Sequence, residues 1–283
     1  MMFFKLFKYD FKASARFGVP ILIAIAAAGL LETINTAITV GNVGKETTFE
    51  AVTNAPFGEM LIFFGMGGLL LSGLVFAAAW AVMSVMLLVQ YYRTTAGEEA
   101  YLTFTLPVTP AQILWSKLAN TLVWSVFCGL AMFLAGAAIL GTGVTMAGIA
   151  EDFVNTFGEL FAFLYSIFGR MGTVFLLCLN GAASVVASYL MMFMAITFGS
   201  VIVRKHKALM AVVMMFVIHF IMSGITGVMK FILLGDFTFK MLFAEGVTNI
   251  NSYLISCTVL YAALSAVYFL VTRWMMEKKL NLD

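Results

Sequence analysis

The polar side chains of this chain that could do chemistry are few, and they sit inside long apolar runs. Glu32 lies beside Thr33, with Asn35 and Thr36 close by, in an otherwise greasy stretch. If that stretch crosses a bilayer, an ionised carboxylate near its middle costs about 2.5–3.5 kcal/mol on insertion scales. Glu32 must then face protein or water, which makes it a candidate for the outer part of a translocation pathway; solvation or protonation near the interface is the alternative. Asn180, Ser184 and Ser188 recur every four residues and share one helix face. They could line a cavity, or bind helices together by hydrogen bonds. His219 could protonate or bind cargo, or could pack as a neutral imidazole. The candidate pathway residues are Glu32, Asn35, Asn180, Ser184 and His219.

Enzymatic constellations are missing. The two histidines, His206 and His219, lie 13 positions apart with no matching acid, and no Gly-x-Ser-x-Gly occurs. No lysine is followed by Ser or Thr, so no phosphate-cradling P-loop can form and the chain cannot be an ATPase of that type. Catalytic, metal and cofactor-binding residues are therefore expected to be none. Cys128, Cys178 and Cys257 all fall in apolar runs and read as packing residues.

These residues are positioned by membrane helices. Hydrophobic residues make up 63% of the 283 and charged residues 11%, where a soluble domain carries about a quarter charged. Too few charges remain to wet a globular surface, and several apolar runs exceed the roughly 20 residues that span a bilayer. The expected fold is an all-α polytopic membrane protein, one domain over residues 1–283. Its six transmembrane helices fall near 19–40, 58–92, 118–140, 171–203, 208–228 and 252–271. The second run, 35 residues, would be about 52 Å long as a helix and should project beyond the hydrocarbon. Residues 153–169, interrupted by Glu159, read as an amphipathic helix on the outer interface rather than a seventh span. A net charge of +2 gives no reason to expect a nucleic-acid partner.

The cation distribution orients the chain. With both termini cytoplasmic, 12 of the 16 Lys and Arg residues lie inside; the inner face sums to +7 and the outer to −4. Lys5, Lys8, Lys12 and Arg16 recur at three- and four-residue spacing beside a face of Phe3, Phe4, Phe7 and Phe11. Residues 1–17 thus read as an interfacial helix, moving with the first span or anchoring it. The start lacks a cleavable signal, so nothing is expected to be removed.

The inner loop 93–117 carries the most specific pattern. Thr95 with Glu98 fits a capping box, Glu98 and Glu99 complement a helix start, and Pro107 stops the helix. Thr109 then caps, Pro110 enters the first turn, and Gln112 closes a second box. The result is a short helix between two spans presenting Tyr101, Leu102 and Phe104. Such side chains need a cover: a partner protein, the membrane surface or the chain's own helix ends.

Gly97, Glu98, Tyr101, Leu102, Leu106, Pro107, Val108, Thr109, Pro110, Ile113, Leu114, Lys117 and Leu118 keep a spacing that resembles the first cytoplasmic loop of ABC-2 type permeases, the membrane subunits of ATP-driven exporters. The close match covers about 25 residues of loop; the rest of the likeness is six spans, an amphipathic start and internal termini. In that family the loop holds a coupling helix that docks on the ATP-binding cassette ATPase subunit. The resemblance implicates Glu98, Glu99, Tyr101, Leu102 and Phe104 in docking. It also implies a second permease, identical or related, with ATP and Mg held by the partner subunit, and a bacterial plasma membrane. Two short outer helices between the last spans are implied too, and residues 231–249, interrupted by Gly235, Asp236 and Gly246, are a plausible match. The long segment 151–170 departs from the family pattern.

The expected function is export of a hydrophobic or amphipathic cargo, such as a lipid, drug or peptide, by a subunit that is not itself an enzyme. A non-transporting immunity or scaffold protein is the alternative from another class, and an ion-coupled carrier using Glu32 and His219 is a third.

Overall fold

The structure, a computed structural model, describes residues 2–43, 58–97, 99–105, 108–146, 171–202, 207–243 and 250–278. Among the described residues every regular element is a helix: α1 (Met2–Val43), α2 (Gly58–Thr95), α3 (Ala100–Thr105), α4 (Pro110–Met146), α5 (Met171–Ile202), α6 (Lys207–Phe243) and α7 (Ile250–Lys278). All except α3 are long and apolar enough to cross a membrane. Hydrocarbon offers backbone N–H and C=O groups no water, and a helix pairs each of them within its own segment. Each of the six expected spans therefore falls in one helix, and every one of these helices except α5 overruns its span at one end or both.

The overruns follow local chemistry. The amphipathic stretch is helical and continues without a break into the first span, so α1 has 42 residues, about 63 Å. Pro20 lies inside it; it withholds one N–H from the ladder, a loss that membrane helices tolerate. Its buried positions, Asp10, Ser14, Gly18, Ile25, Gly29 and Glu32, form one stripe that is mostly small or polar. Lys5, Lys8, Lys12 and Arg16 are exposed beside it. α6 corrects an expectation: it runs as one helix to Phe243, where the resemblance implied two short ones. Gly235 costs a helix only about 1 kcal/mol, and no proline lies between 207 and 243 to stop it. The expected outer helix at 153–169 falls outside the described residues, as does the rest of 147–170.

Packing divides the chain into two compact units. The first comprises Met1–Phe11, Leu87–Leu122 and Phe163–Asp283. Its centre is α5, 61% buried over its most apolar stretch where α6 is only 6% buried, so α5 is the interior helix and α6 a peripheral one. Phe193, Leu190 and Ile196 of α5 pack with Leu114 and Leu118 of α4, Ala211 of α6 and Tyr268 and Met276 of α7. Gly199 lets the end of α5 touch the start of α6: a methyl there would lie 2.6 Å from the Ala211 Cα. The second unit comprises Lys12–Met86 and Val123–Ala162. In it, Gly18 lies against the Trp124 ring and Gly29 against Ala135, so α1 and α4 meet through small residues.

Gly199→Val should therefore destabilise the purified protein by about 1–3 kcal/mol, the usual cost of overpacking, and lower its apparent melting temperature in detergent. Gly73→Ala, where an added methyl meets nothing within 4 Å, should leave that temperature unchanged or raise it.

Candidate functional site

The loop between α2 and α4 is built by a succession of local bonds. The Thr95 hydroxyl donates to the Tyr91 carbonyl at 2.6 Å, so Thr95 belongs to the last turn of α2 and does not cap the next helix as the spacing suggests. A threonine four residues after an open carbonyl has a nearer partner behind it than ahead. The N–H groups of Ala96 and Gly97 then both donate to the Tyr92 carbonyl, at 2.8 and 2.9 Å. A methyl at Gly97 would lie 2.9 Å from the Arg93 Cα, so only glycine lets the chain fold back this closely. The Ala100 N–H donates to the Gly97 carbonyl at 3.0 Å and α3 begins.

Two contacts orient α3. Arg93 Nη2 lies 2.7 Å from Glu99 Oε1, linking the end of α2 to the residue before α3. Glu99 thus reaches back to a side chain of the preceding helix. With both groups about half exposed, the pair contributes at most about 1 kcal/mol. Ala100 is buried, whereas Tyr101 is 68% exposed. α3 is held on one side and turns its tyrosine outward. Glu98 and the side chains of Leu102 and Phe104 lie outside the described residues.

α4 starts as the spacing predicts. Gln112 N–H donates to Thr109 Oγ1 at 3.4 Å and Thr109 N–H to Gln112 Oε1 at 3.2 Å, a reciprocal capping box with Pro110 in the first turn. Behind it, Ile113, Leu114, Lys117 and Leu118 are all buried, on one face of α4. The loop motif therefore divides into a buried anchor and an exposed tip.

The anchor contains an ion pair that sequence reasoning missed. Lys117 Nζ bonds Asp10 Oδ1, with side chains only 5% and 9% exposed. Ser116 Oγ donates to Asp10 Oδ2 at 2.6 Å, and Gln90 Nε2 of α2 donates to the Asp10 carbonyl at 3.1 Å. One residue of α1 thus ties together the ends of α2 and α4 that bracket α3. Alongside, the Tyr91 ring stacks on Phe193 with centroids 4.1 Å apart, and its hydroxyl lies 2.8 Å from Thr197 Oγ1. The Thr197 proton is already given to the Phe193 carbonyl, so Tyr91 is the donor. Trp115 of α4 packs against Phe269 of α7, centroids 5.2 Å apart. The only sequence signal for Asp10 is that it is a lone acid amid Lys5, Lys8, Lys12 and Arg16.

The candidate pathway residues separate. Asn180 Nδ2 donates to Thr258 Oγ1 of α7 at 3.2 Å, a helix-to-helix tie. Ser184 and Ser188 return their protons to Gly181 and Ser184 carbonyls of their own helix, each at 2.8 Å. His219 is exposed on α6, as are Phe216 and Phe220, so it is not packed as a core imidazole. Glu32 and Asn35 belong to the second unit. There the Asn35 amide donates to both carboxylate oxygens, at 3.3 and 3.4 Å, beside a cleft of about 420 Å³ between α1 and α2.

No family model, curated protein or solved structure matches this chain.

Breaking a buried ion pair leaves a bare charge and costs about 3–5 kcal/mol, whereas replacing both partners by apolar groups is close to neutral. Asp10→Ala should sharply lower the apparent melting temperature, and Asp10→Leu combined with Lys117→Met should restore most of it. A double variant as unstable as the single one would mean the two residues are not coupled.

Proposed function

We propose that this chain is the permease subunit of an ATP-driven exporter of the ABC-2 type, with α3 as the coupling helix for a separate ATP-hydrolysing subunit. The observation that carries the reading is a six-residue helix with an exposed tyrosine, mounted on a buried polar tie. A short helix at the end of two membrane spans has no packing role that requires Tyr101 to face outward. Tyrosine is also a frequent energetic anchor at protein interfaces.

The mounting matters for mechanism. Driving a two-state bundle from 1:99 to 99:1 needs about 5.5 kcal/mol of differential binding. A lever that bends under that load transmits little of it. Asp10, Gln90, Ser116 and Lys117 join three helix ends into one block, so a displacement of α3 reaches α1, α2 and α4 together. In the proposed cycle, ATP binding draws two ATPase subunits together on the cytoplasmic side. Their coupling helices follow, and two permeases change the cavity they enclose. ATP and Mg are held by the partner. The apolar composition suits a hydrophobic or amphipathic cargo.

Capture of the full chain from native membranes should bring down an ATP-binding protein. Tyr101→Ala together with Phe104→Ala should abolish that recovery while leaving membrane insertion intact. For Tyr101 alone, losing an anchor of about 2 kcal/mol implies roughly 30-fold weaker binding. Unchanged ATPase recovery with the double variant would sink the reading.

A further inference from the structure

The second unit holds a buried carboxylate that neither the fold nor the docking reading uses. Glu32 is 6% exposed and lies within one of the apolar helices. Its hydrogen-bond partner is the neutral Asn35 amide, and no lysine, arginine or histidine among the described residues pairs with it. Asp10, the other buried acid of the same helix stripe, has its lysine. A carboxylate withdrawn from water with one neutral donor leaves most of its acceptor capacity unmet.

The surroundings give it room on one side. Gly68 of α2 faces it, with Gly67 beside it in the cleft wall, and a methyl at Gly68 would lie 2.7 Å from Oε2 and 2.9 Å from Oε1. The glycine therefore brings the α2 backbone right against the carboxylate. From there the cleft runs between Leu31 and Leu71, both mostly exposed, with Ser72 as a further polar group in its wall. Its volume of about 420 Å³ falls in the range of about 300–1,000 Å³ typical of small-molecule sites. An acidic end and apolar walls call for a molecule with the opposite arrangement.

We propose that this cleft binds a small amphiphile bearing a single ammonium group, with the cation on Glu32 and the apolar tail between Leu31 and Leu71. Asn35 positions the carboxylate through its amide and leaves the open side to the ligand. The ammonium supplies a counter-charge that no described residue provides. The site stands without the transport reading, because binding involves neither α3 nor a nucleotide.

The test uses the full chain in neutral maltoside micelles. Dodecylammonium is the probe and dodecanol, of the same chain length, the uncharged control. Removing one partner of a buried charge pair weakens an interaction by about 30-fold or more. Glu32→Gln should therefore weaken binding of the ammonium probe by at least that factor and leave dodecanol binding unchanged. A second measurement needs no variant: dicyclohexylcarbodiimide modification of wild-type Glu32, followed by mass spectrometry, should be slowed by the ammonium probe and not by dodecanol. Competition by added phosphatidylethanolamine would identify a lipid headgroup as the source of the amine; lack of competition would favour a free amphiphile. Equal affinity of wild type and Glu32→Gln for the ammonium probe, or Glu32 modification that the probe does not slow, would overturn the proposal.

Discussion

A carboxylate and an ammonium group buried against each other, Asp10 and Lys117, determine where the first helix meets the base of the fourth. Apolar contacts between membrane helices are weakly directional, since a leucine packs against lipid nearly as well as against another leucine. A buried charge pair is different: displaced by one turn, each partner would be left in a medium that cannot solvate it. Such a pair adds little net stability but strongly disfavours other registers. Here the register it fixes is that of α1 against the two helix ends from which α3 is suspended. Gln90 and Ser116 extend the same tie by hydrogen bonds to Asp10.

The distribution of burial fits that division of labour. α5, with Phe193 and Thr197 on its inner face, carries the interior of the first unit, and α6 contributes mainly a greasy outer surface. In the second unit the close approaches are made by Gly18 and Gly29 on α1 and by Gly68 on α2. Specificity in both units comes from a few polar or very small residues; the 63% of hydrophobic residues mostly provides compatibility with lipid.

How much of this was legible in the sequence depends on how far apart the interacting groups lie. The six spans were legible because apolar run length alone decides them. The start of α4 was legible because Thr109, Pro110 and Gln112 act on one another within a single turn. The Thr95 box failed for an equally local reason: the competing acceptor, the Tyr91 carbonyl, lies behind it in a helix longer than expected. The continuity of α6 past Gly235 was missed because glycine weakens a helix without ending it. Asp10 and Lys117 are 107 residues apart, and nothing near either one names the other. The pathway residues were chosen for being polar in apolar runs. That criterion cannot separate a helix tie such as Asn180 from a cleft residue such as Glu32.

If α3 is a coupling helix, as proposed, its tyrosine is bare until a cytoplasmic partner covers it. A cysteine at that position reports both halves of the claim. With Cys128, Cys178 and Cys257 replaced by serine, Tyr101→Cys should react with a membrane-impermeant maleimide from the cytoplasmic face alone, in inverted vesicles of the purified chain. It should be protected in native membranes that contain the whole assembly. Labelling from the opposite face, or equal reactivity with and without the assembly, would contradict the account.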